Sequence, residues 1–522
     1  MNGDNIMMKY LKPLGDSTLM TINVNYQRNW YHLNDNERGL TLTEAAQFGK
    51  NFNLGNDPTK PNYKGYNLVH KSTTMDYLRL QTDWGSGWAT DNTLYYYNYT
   101  NIGSTTTATD MTLPLTIAPA ATATSRVVSA TGAVTVGQIP GGQKTNEYGV
   151  YGDIFKMTKQ TGAGLARVGL WLEKADTHRS FYDLNLLGGI TPNYDQAAVP
   201  GAIDGINNVL YEQKSGWKQY QPFAEFEWNV TPALKVTPGI KYMHTDLTID
   251  ALVNQTGRTQ INLEKTFTKT LPFLTANYTI APGLSTYAQY AQGMLVPNIG
   301  SFQSQGALLT NLSPQTSTNY QVGVVHQSDT LTFDADVYYI AFNNKIASLP
   351  GQPANAPIFF NQGAVTYKGV EAQATYVLPA GFSLYANGSI NRATTDATGL
   401  EIAGVPKYTT ALGLLFRSGG WGATLFHKQV GRVYALDNNG YALDPYSTTD
   451  LNVSYLMKNP GMGFKTVKMQ LGIFNLLNKQ SIIAASVRNK VAGTAAYGTP
   501  NAGDQFQWQT PRSMMASLRA EF

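Results

Sequence analysis

Residues 514–522, which read MMASLRAEF, contain the pattern that decides the fold. Met514, Ala516, Leu518, Ala520 and Phe522 occupy alternate positions, and Met515, Ser517, Arg519 and Glu521 lie between them. Successive side chains of a β-strand point to opposite faces, so a period of two is typical of a strand with one apolar face. The stretch therefore predicts a strand whose alternation continues to the aromatic residue at position 522.

The same alternation recurs along the whole chain. In TLMTINVNYQ, Met20, Ile22 and Val24 alternate with Thr21 and Asn23. Comparable patterns occur in MDYLRLQTDW (75–84), LTFDADVYYIA (331–341), GVEAQATY (369–376), FSLYANGSI (382–390), DLNVSY (450–455) and VKMQLGIF (467–474). These segments are rich in Tyr, Val and Thr, which favour strands. Only TLTEAAQFGKNF, from Thr41, has a helical pattern.

Composition restricts the class of protein. Charged residues make up 14% of the 522 residues, against roughly 25% in an ordinary globular protein. The net charge of +4, without a Lys/Arg run, argues against nucleic acid as a partner. Cysteine is absent, which excludes disulfides and thiolate metal sites. No stretch of about 18 apolar residues is present, so a membrane protein with this sequence has to be a closed β-barrel.

The connections between strands alternate in length. The short turns are KPLGD (12–16), WGSGW (84–88), QTGAG (160–164), VTPAL (230–234), APG (281–283), QSDT (327–330), PAG (379–381), RSGG (417–420) and KNPGMG (458–463). The long polar connections are approximately 33–72, 101–143, 176–215, 254–265, 297–314, 343–363, 394–403, 435–445 and 478–507. Short periplasmic turns and long extracellular loops are typical of outer-membrane barrels. The sequence thus predicts an all-β, transmembrane, antiparallel up-and-down barrel of about nineteen strands.

The second half of the chain resembles a known family. From about Thr270 to Phe522, five stretches follow the order found in the barrel of the TonB-dependent outer-membrane receptors. They are TLPFLTANYTIAPGLSTYAQYAQGMLVPNI, NYQVGVVHQSDTLTFDADVYYIAFNNKIAS, NQGAVTYKGVEAQATYVLPAGFSLYANGS, AGVPKYTTALGLLFRSGGWGATLFHKQVGRVY and FNLLNK. The first half resembles the family only in its alternation.

The resemblance implies a function. Such receptors lie in the outer membrane of Gram-negative bacteria and import a scarce ligand with energy from the TonB complex. The ligand is most often a ferric siderophore, and cobalamin, haem and saccharides are alternatives. No G-x-S-x-G motif or similar nucleophile context is visible in the sequence, so neither enzyme activity nor a cofactor is expected. The terminal Phe522 resembles the signal that the outer-membrane assembly machinery reads on the last strand.

The expected strand number differs from that of the family, which is known for twenty-two strands. The first strand, Asn5 to Leu11, leads into a short turn and therefore runs towards the periplasm, as does the last strand. Residues 1–522 are thus expected to be a barrel without the plug domain and without about three strands. Closure is expected to need an odd number of added strands, and contact with the TonB complex is expected only through the absent N-terminal part.

The candidate ligand-binding residues are aromatic or cationic. Each is expected either in a loop or at a strand position whose side chain points into the lumen. Tyr31, Tyr95 and Tyr97 are expected on the lumen side, and Phe181, Tyr182 and Tyr434 are expected in loops. Cationic partners for an anionic ligand would be Arg179 and Arg432. The six histidines are not spaced as metal ligands, so no metal site is predicted. Asp334 and Asp336 are interpreted as lumen-lining charge and not as an acid–base pair.

The alternation of side chains along each strand also predicts which of them contact lipid. Leu80, Val236 and Phe333 are expected to face lipid, and Arg79, Lys235 and Asp334 the lumen. Two further functions stay open. A passive porin-like channel for small polar solutes would need a charged constriction loop, and a soluble or surface adhesin would leave an apolar face exposed on every strand.

Overall fold

The structure of the chain is a computed structural model. It describes residues 2–32, 39–51, 56, 63–106, 140–186, 191–192, 209–255, 258–305, 312–348, 359–437, 439, 441–461, 463–486 and 504–522.

Nineteen long strands form one antiparallel sheet. In chain order they are β1 (Asn2–Leu14), β2 (Thr18–His32), β3 (Leu68–Gly85), β4 (Trp88–Thr106), β5 (Pro140–Thr161), β6 (Gly164–Asn185), β7 (Val209–Asn229), β8 (Leu234–Val253), β9 (Ile261–Ala281), β10 (Leu284–Leu295), β11 (Gln315–Gln327), β12 (Leu331–Asn343), β13 (Val365–Val377), β14 (Phe382–Thr395), β15 (Tyr408–Ser418), β16 (Trp421–Val430), β17 (Tyr446–Gly461), β18 (Phe464–Phe474) and β19 (Ser513–Glu521). The short strand Thr191–Pro192 joins the same sheet beside β6. The prediction of about nineteen strands is confirmed.

Each long strand pairs with the next one along the chain, and every pairing is antiparallel. The topology is therefore up-and-down, as predicted. Because nineteen strands alternate in direction, β1 and β19 run the same way. No ladder joins these two strands within the residues that the structure describes, and both are exposed on both faces.

All nine predicted short turns connect neighbouring strands. The long connections differ from prediction because several strands continue further than the alternation indicated. Strands β5 to β9 contain 20 to 22 residues each. In the predicted loop at 176–215, the residues up to Asn185 and those from Val209 therefore belong to β6 and β7. Parts of the predicted loops at 33–72, 101–143, 176–215, 254–265, 297–314, 343–363, 435–445 and 478–507 lie outside the described residues.

The two faces of the sheet differ in chemistry. Large apolar side chains at alternate positions are solvent-exposed on one face; examples are Leu94, Leu172, Val322 and Ile390. The other face carries charged and amide side chains, such as Arg79, which pairs with Asp91 at 2.6 Å. An apolar exterior and a polar lumen are what a barrel in lipid requires. Register and alternation place Leu80, Val236 and Phe333 on the apolar face and Arg79, Lys235 and Asp334 on the lumen face, as expected.

Two short helices occur in the connections. Helix α1 (Leu42–Phe48) begins at Thr41, whose side chain and Glu44 form a capping box, so the predicted helical segment is confirmed. Helix α2 (Ile299–Gln305) lies between β10 and β11. No helix among the described residues is long and apolar enough to cross a membrane.

The main apolar core lies inside the wall, where α2 and neighbouring loop residues cover β8 and β9. Leu247, Ile249 and Phe267 are buried on the lumen face there, together with Leu312. Lys265 Nζ donates a hydrogen bond to the Leu312 carbonyl oxygen at 2.6 Å. The described parts of the connection between β10 and β11, which are α2 and the segment from Leu312, therefore lie against the lumen face of the wall.

Candidate functional site

The candidate site lies on the lumen face of β4 to β7. Tyr95, Tyr97 and Tyr99 alternate along β4 and point inward. Register places Tyr148 of β5 opposite Tyr99, and Asn146 of β5 opposite Asn101. Asn146 is in turn opposite Arg179 of β6. Three neighbouring strands thus present aromatic, amide and guanidinium groups to one space.

A hydrogen-bond network lies deeper on the same face. Glu173 accepts hydrogen bonds from Tyr95 Oη, from Trp217 Nε1 at 2.8 Å and from Gln219 Nε2 at 3.0 Å. Trp171 Nε1 donates to Tyr95 Oη at 2.9 Å. The lone pairs of the carboxylate are therefore occupied by donors of the wall, which fixes Tyr95 and Trp217 in position.

Helix α2 is attached to the wall through Gln303, which is only 2% exposed. Its Nε2 donates to Ser215 Oγ at 2.8 Å, and its Oε1 accepts from Arg179 Nη1 at 3.1 Å. Gln213 Nε2 donates to the Gln303 backbone oxygen at 2.7 Å. Because buried polar groups need partners, these bonds hold the short helix against β6 and β7.

A cavity of about 450 Å³ remains between α2 and the wall. Its lining consists of Tyr99, Asn101, Lys144, Asn146, Tyr148, Arg179, Gln255, Asn298, Gly300, Gln303 and Phe359. The volume lies within the range of small-molecule sites. Asn101 Oδ1 is buried without a hydrogen-bond partner among the described residues, so this acceptor is available to a donor in the cavity.

The described lining of the cavity carries two cationic side chains. Lys144 and Arg179 are charged side chains of the lining, and no Asp or Glu is among the described residues that line the cavity. Arg179 is held in place, because its Cζ lies 4.6 Å above the ring of Tyr211, which in turn stacks on Phe181 with ring centres 5.8 Å apart. A rigid guanidinium beside amides and phenol rings suits an anionic ligand with several oxygen atoms.

Four of the predicted binding residues belong to this region. Arg179 lines the cavity, Phe181 supports Tyr211, and Tyr95 and Tyr97 lie below Tyr99 on the same face of β4. The expectation that Phe181 lies in a loop is wrong, because β6 continues to Asn185.

The other predicted residues lie elsewhere. Tyr182, also expected in a loop, is in β6, and its side chain is on the outer face, where its Oη donates to Glu212 Oε2 at 2.7 Å. Tyr31 lies near the end of β2, with Lys71 Nζ 5.7 Å from its ring centre. Arg432 and Tyr434 stack on each other beside a separate hairpin of Val433–Tyr434 and Ala442–Leu443. Phe522 is exposed, and its ring is 4.7 Å from that of Phe464.

The sequence did not lead to most of the residues that line the cavity. Tyr99 and Asn101 share the parity of Tyr95 and Tyr97, so extending the alternation by two steps would have found them. Lys144, Asn146 and Tyr148 require the register of β5 against β4, and Gln303 requires the path of a loop. Within the described ranges, no group of three or more His, Asp or Glu side chains is placed to hold a metal ion.

Comparison with known proteins gives two results. The family model described as "TonB dependent receptor-like, beta-barrel" matches residues 14–476, so the match includes most of the first half as well as the second. Among solved structures, the ferric citrate transporter FecA in its unliganded form superposes with a TM-score of 0.71 at 16% identity, covering 99% of this chain and 69% of that chain.

Two further structures are similar. The ferric yersiniabactin uptake receptor FyuA from Yersinia pestis has a TM-score of 0.68 at 13% identity, covering 100% of this chain and 70% of that chain. The pyoverdine outer-membrane receptor FpvA from Pseudomonas aeruginosa PAO1 has a TM-score of 0.68 at 15% identity, covering 100% of this chain and 71% of that chain. At these identities the likeness establishes the fold alone.

Proposed function

Because the chain belongs to the TonB-dependent receptor-like β-barrel family, we propose that it forms the wall of a receptor that captures a ferric siderophore for TonB-energised uptake. Barrels of this family lie in the outer membrane of Gram-negative bacteria. The observation that carries the proposal is the lumen cavity beside α2, whose described lining includes Lys144 and Arg179 but no carboxylate.

The chemistry of the cavity supports a ferric chelate over a neutral ligand. Chelates that use carboxylate, catecholate or hydroxamate oxygens present several acceptors around the iron and often carry net negative charge. Arg179 would bind such oxygens by charge-assisted hydrogen bonds, while Asn146 and Tyr148 would contact the organic part. The iron is cargo here and not a resident cofactor. The solved structures with similar folds include a ferric citrate transporter, a ferric yersiniabactin receptor and a pyoverdine receptor.

A passive channel for small polar solutes is supported less well. The porin-like alternative requires a charged constriction loop, whereas the connection at 296–314, VPNIGSFQSQGALLTNLSP, to which α2 belongs, contains no Asp, Glu, Lys or Arg. A saccharide, cobalamin or haem would use the same type of barrel, but a neutral saccharide would gain nothing from the two cations.

A binding screen tests the proposal. The purified chain is titrated with ferric citrate, a ferric catecholate, a ferric hydroxamate, haem, cobalamin and a maltodextrin, with tryptophan fluorescence as the readout. Trp171 and Trp217 lie below the cavity on the same face. A ferric chelate should bind most tightly, and Arg179→Gln should weaken it about 10- to 100-fold, since a charged hydrogen bond contributes roughly 1.5–3 kcal/mol.

The matched control is Arg28→Gln, because Arg28 lies on the outer face and pairs with Asp4 at 2.7 Å. It should leave affinity unchanged. Preference for the maltodextrin, or equal affinity in the Arg179 variant and the wild type, would contradict the proposal. A loss confined to Arg432→Gln would instead assign binding to the hairpin at 431–445.

We further infer that β19 and Phe522 are read by the outer-membrane assembly machinery. Phe522 directly follows β19, whose outer face is apolar, and its ring is largely exposed. Replacing Phe522 with Ala should reduce the amount of assembled barrel in cells severalfold, while thermal unfolding of the purified variant stays the same. If the purified Phe522→Ala variant also unfolded at a lower temperature, Phe522 would have a structural role instead.

A further inference from the structure

Two cationic side chains lie directly opposite each other on neighbouring strands. Lys368 of β13 pairs in register with Arg392 of β14, and both side chains are exposed. They share a face with Val370 and Ile390, which form the second pair below them and are 50% and 71% exposed. The two cations therefore point outward from the barrel and away from the lumen site.

Their position along the strands is at the upper end of the lipid-facing apolar surface. On β14, the outward positions from the short turn upward are Phe382, Leu384, Ala386, Gly388 and Ile390, and Arg392 follows. On β13, Tyr376, Ala374, Ala372 and Val370 precede Lys368 in the same direction. Tyr339 of β12 is opposite Lys368 on its other side. Aromatic residues and cations that follow an apolar band are found at the level of lipid headgroups.

Neither cation has a counter-ion in the part of the chain that the structure describes. Two other cations of the outer face have carboxylate partners: Arg28 pairs with Asp4 at 2.7 Å, and Lys174 with Asp176 at 2.8 Å. Like charges directly opposite each other in a sheet repel and destabilise the pairing. The arrangement of Lys368 and Arg392 therefore lacks an anion that would relieve this repulsion.

We propose that Lys368 and Arg392 bind a phosphate group of an outer-leaflet glycolipid. Side chains directly opposite in a sheet have Cβ atoms about 5 Å apart, so both can reach one phosphate. The guanidinium donates two parallel hydrogen bonds to phosphate oxygens, and the ammonium supplies a point charge. The acyl chains of the same lipid lie against Val370 and Ile390. The site serves retention and orientation of the barrel in the outer leaflet, and it is separate from siderophore capture.

Native mass spectrometry of the detergent-purified chain tests the proposal. The ligands are a diphosphorylated lipid A and the same lipid with its phosphates removed. The wild type should prefer the phosphorylated lipid, and K368Q/R392Q should bind it about 25-fold more weakly, at about fivefold per cation. The dephosphorylated lipid should bind equally to both proteins. Unchanged binding of the phosphorylated lipid by K368Q/R392Q would overturn the proposal.

Three comparisons make the result specific. K174Q removes a cation that already has a carboxylate partner, so it should change binding less than twofold. K368R/R392K keeps both charges and should retain binding. Inorganic pyrophosphate should compete only weakly, because it lacks acyl chains. Competition by pyrophosphate at the concentration at which lipid A saturates the site, or an equal loss in K174Q, would contradict a lipid site. The comparison of the two lipids on wild-type protein decides the matter even if K368Q/R392Q folds poorly.

Discussion

Phe181 and Tyr182 are adjacent in the chain but contact different environments. Phe181 stacks on Tyr211 inside the lumen, whereas the Tyr182 hydroxyl donates to Glu212 on the outer face. The reason is the two-residue period of a strand, which sends neighbouring side chains to opposite faces. At the scale of single residues, parity therefore determines whether a side chain belongs to the lumen site or to the lipid surface.

Arginine substitutions at two adjacent residues of β11 test whether neighbouring side chains face opposite sides of the wall. Val322 of β11 faces lipid between Val324 and Tyr320, while Gln321 faces the lumen opposite Tyr338. Val322→Arg should lower the free energy of unfolding in a bilayer by about 2–4 kcal/mol, whereas Gln321→Arg should cost less than about 1 kcal/mol. Equal costs in urea titrations of the reconstituted protein would show that the register of β11 is wrong.

Helix α2 is the element that shapes the cavity, and its attachment depends on buried polar contacts more than on its own seven residues. An isolated helix of this length is not stable in water. Gln303 bonds to Ser215 and Arg179, which belong to two different strands. The position of α2 is thus decided by tertiary contacts.

Gln303→Ala should release α2. Removing the side chain takes one hydrogen bond from Ser215, which keeps its bond to Thr177 Oγ1 at 2.7 Å, and leaves Arg179 Nη1 without its acceptor, at a cost of about 1–3 kcal/mol. Hydrogen–deuterium exchange of the amides in 299–305 should become at least tenfold faster, and affinity for the ferric chelate should fall. Unchanged exchange in this segment would show that the apolar contacts of Ile299 and Leu312 suffice to hold it.

Asp437 makes a second contact between loops, and amide exchange can test it in the same way. Asp437 accepts a hydrogen bond from the Ala403 backbone N–H at 2.6 Å and one from Gln362 Nε2 at 3.3 Å. Asp437→Ala should therefore speed amide exchange at Ala403 by about 10- to 100-fold. The two variants are controls for each other, because Asp437→Ala should leave 299–305 unchanged and Gln303→Ala should leave Ala403 unchanged.

The whole molecule is asymmetric in the lengths of its strands. Strands β5 to β9 have 20 to 22 residues, and β10 to β16 have 10 to 14. A tilted strand of 22 residues extends roughly 55 Å along the barrel axis, about twice the apolar band of an outer-membrane barrel. Part of the wall at β5 to β9 therefore projects beyond the membrane, on the side of the long connections where the cavity lies.

Cysteine labelling of intact cells tests the orientation of the molecule. The natural chain has no cysteine, so a single introduced thiol is unique. Lys214→Cys, on the projecting part of β7, should react with a membrane-impermeant maleimide added outside. Ser328→Cys, in the short turn between β11 and β12, should react only after permeabilisation. The reverse pattern would place the long connections in the periplasm and exclude capture from outside.

The local sequence predicted the number of long strands, the nine short turns and the faces of Leu80, Val236 and Phe333, but not where strands such as β6 end. These features depend on neighbouring residues, as in the alternation around Phe333 and the capping box of Thr41 and Glu44. The tertiary structure decided which residues meet across the chain. Gln303 reaches Arg179 over a separation of 124 residues, and Lys368 faces Arg392 because of strand register. Such contacts depend on how far each strand extends and on the path of each loop. Both depend on interactions among many residues that are distant in the chain, so no local sequence pattern encodes them.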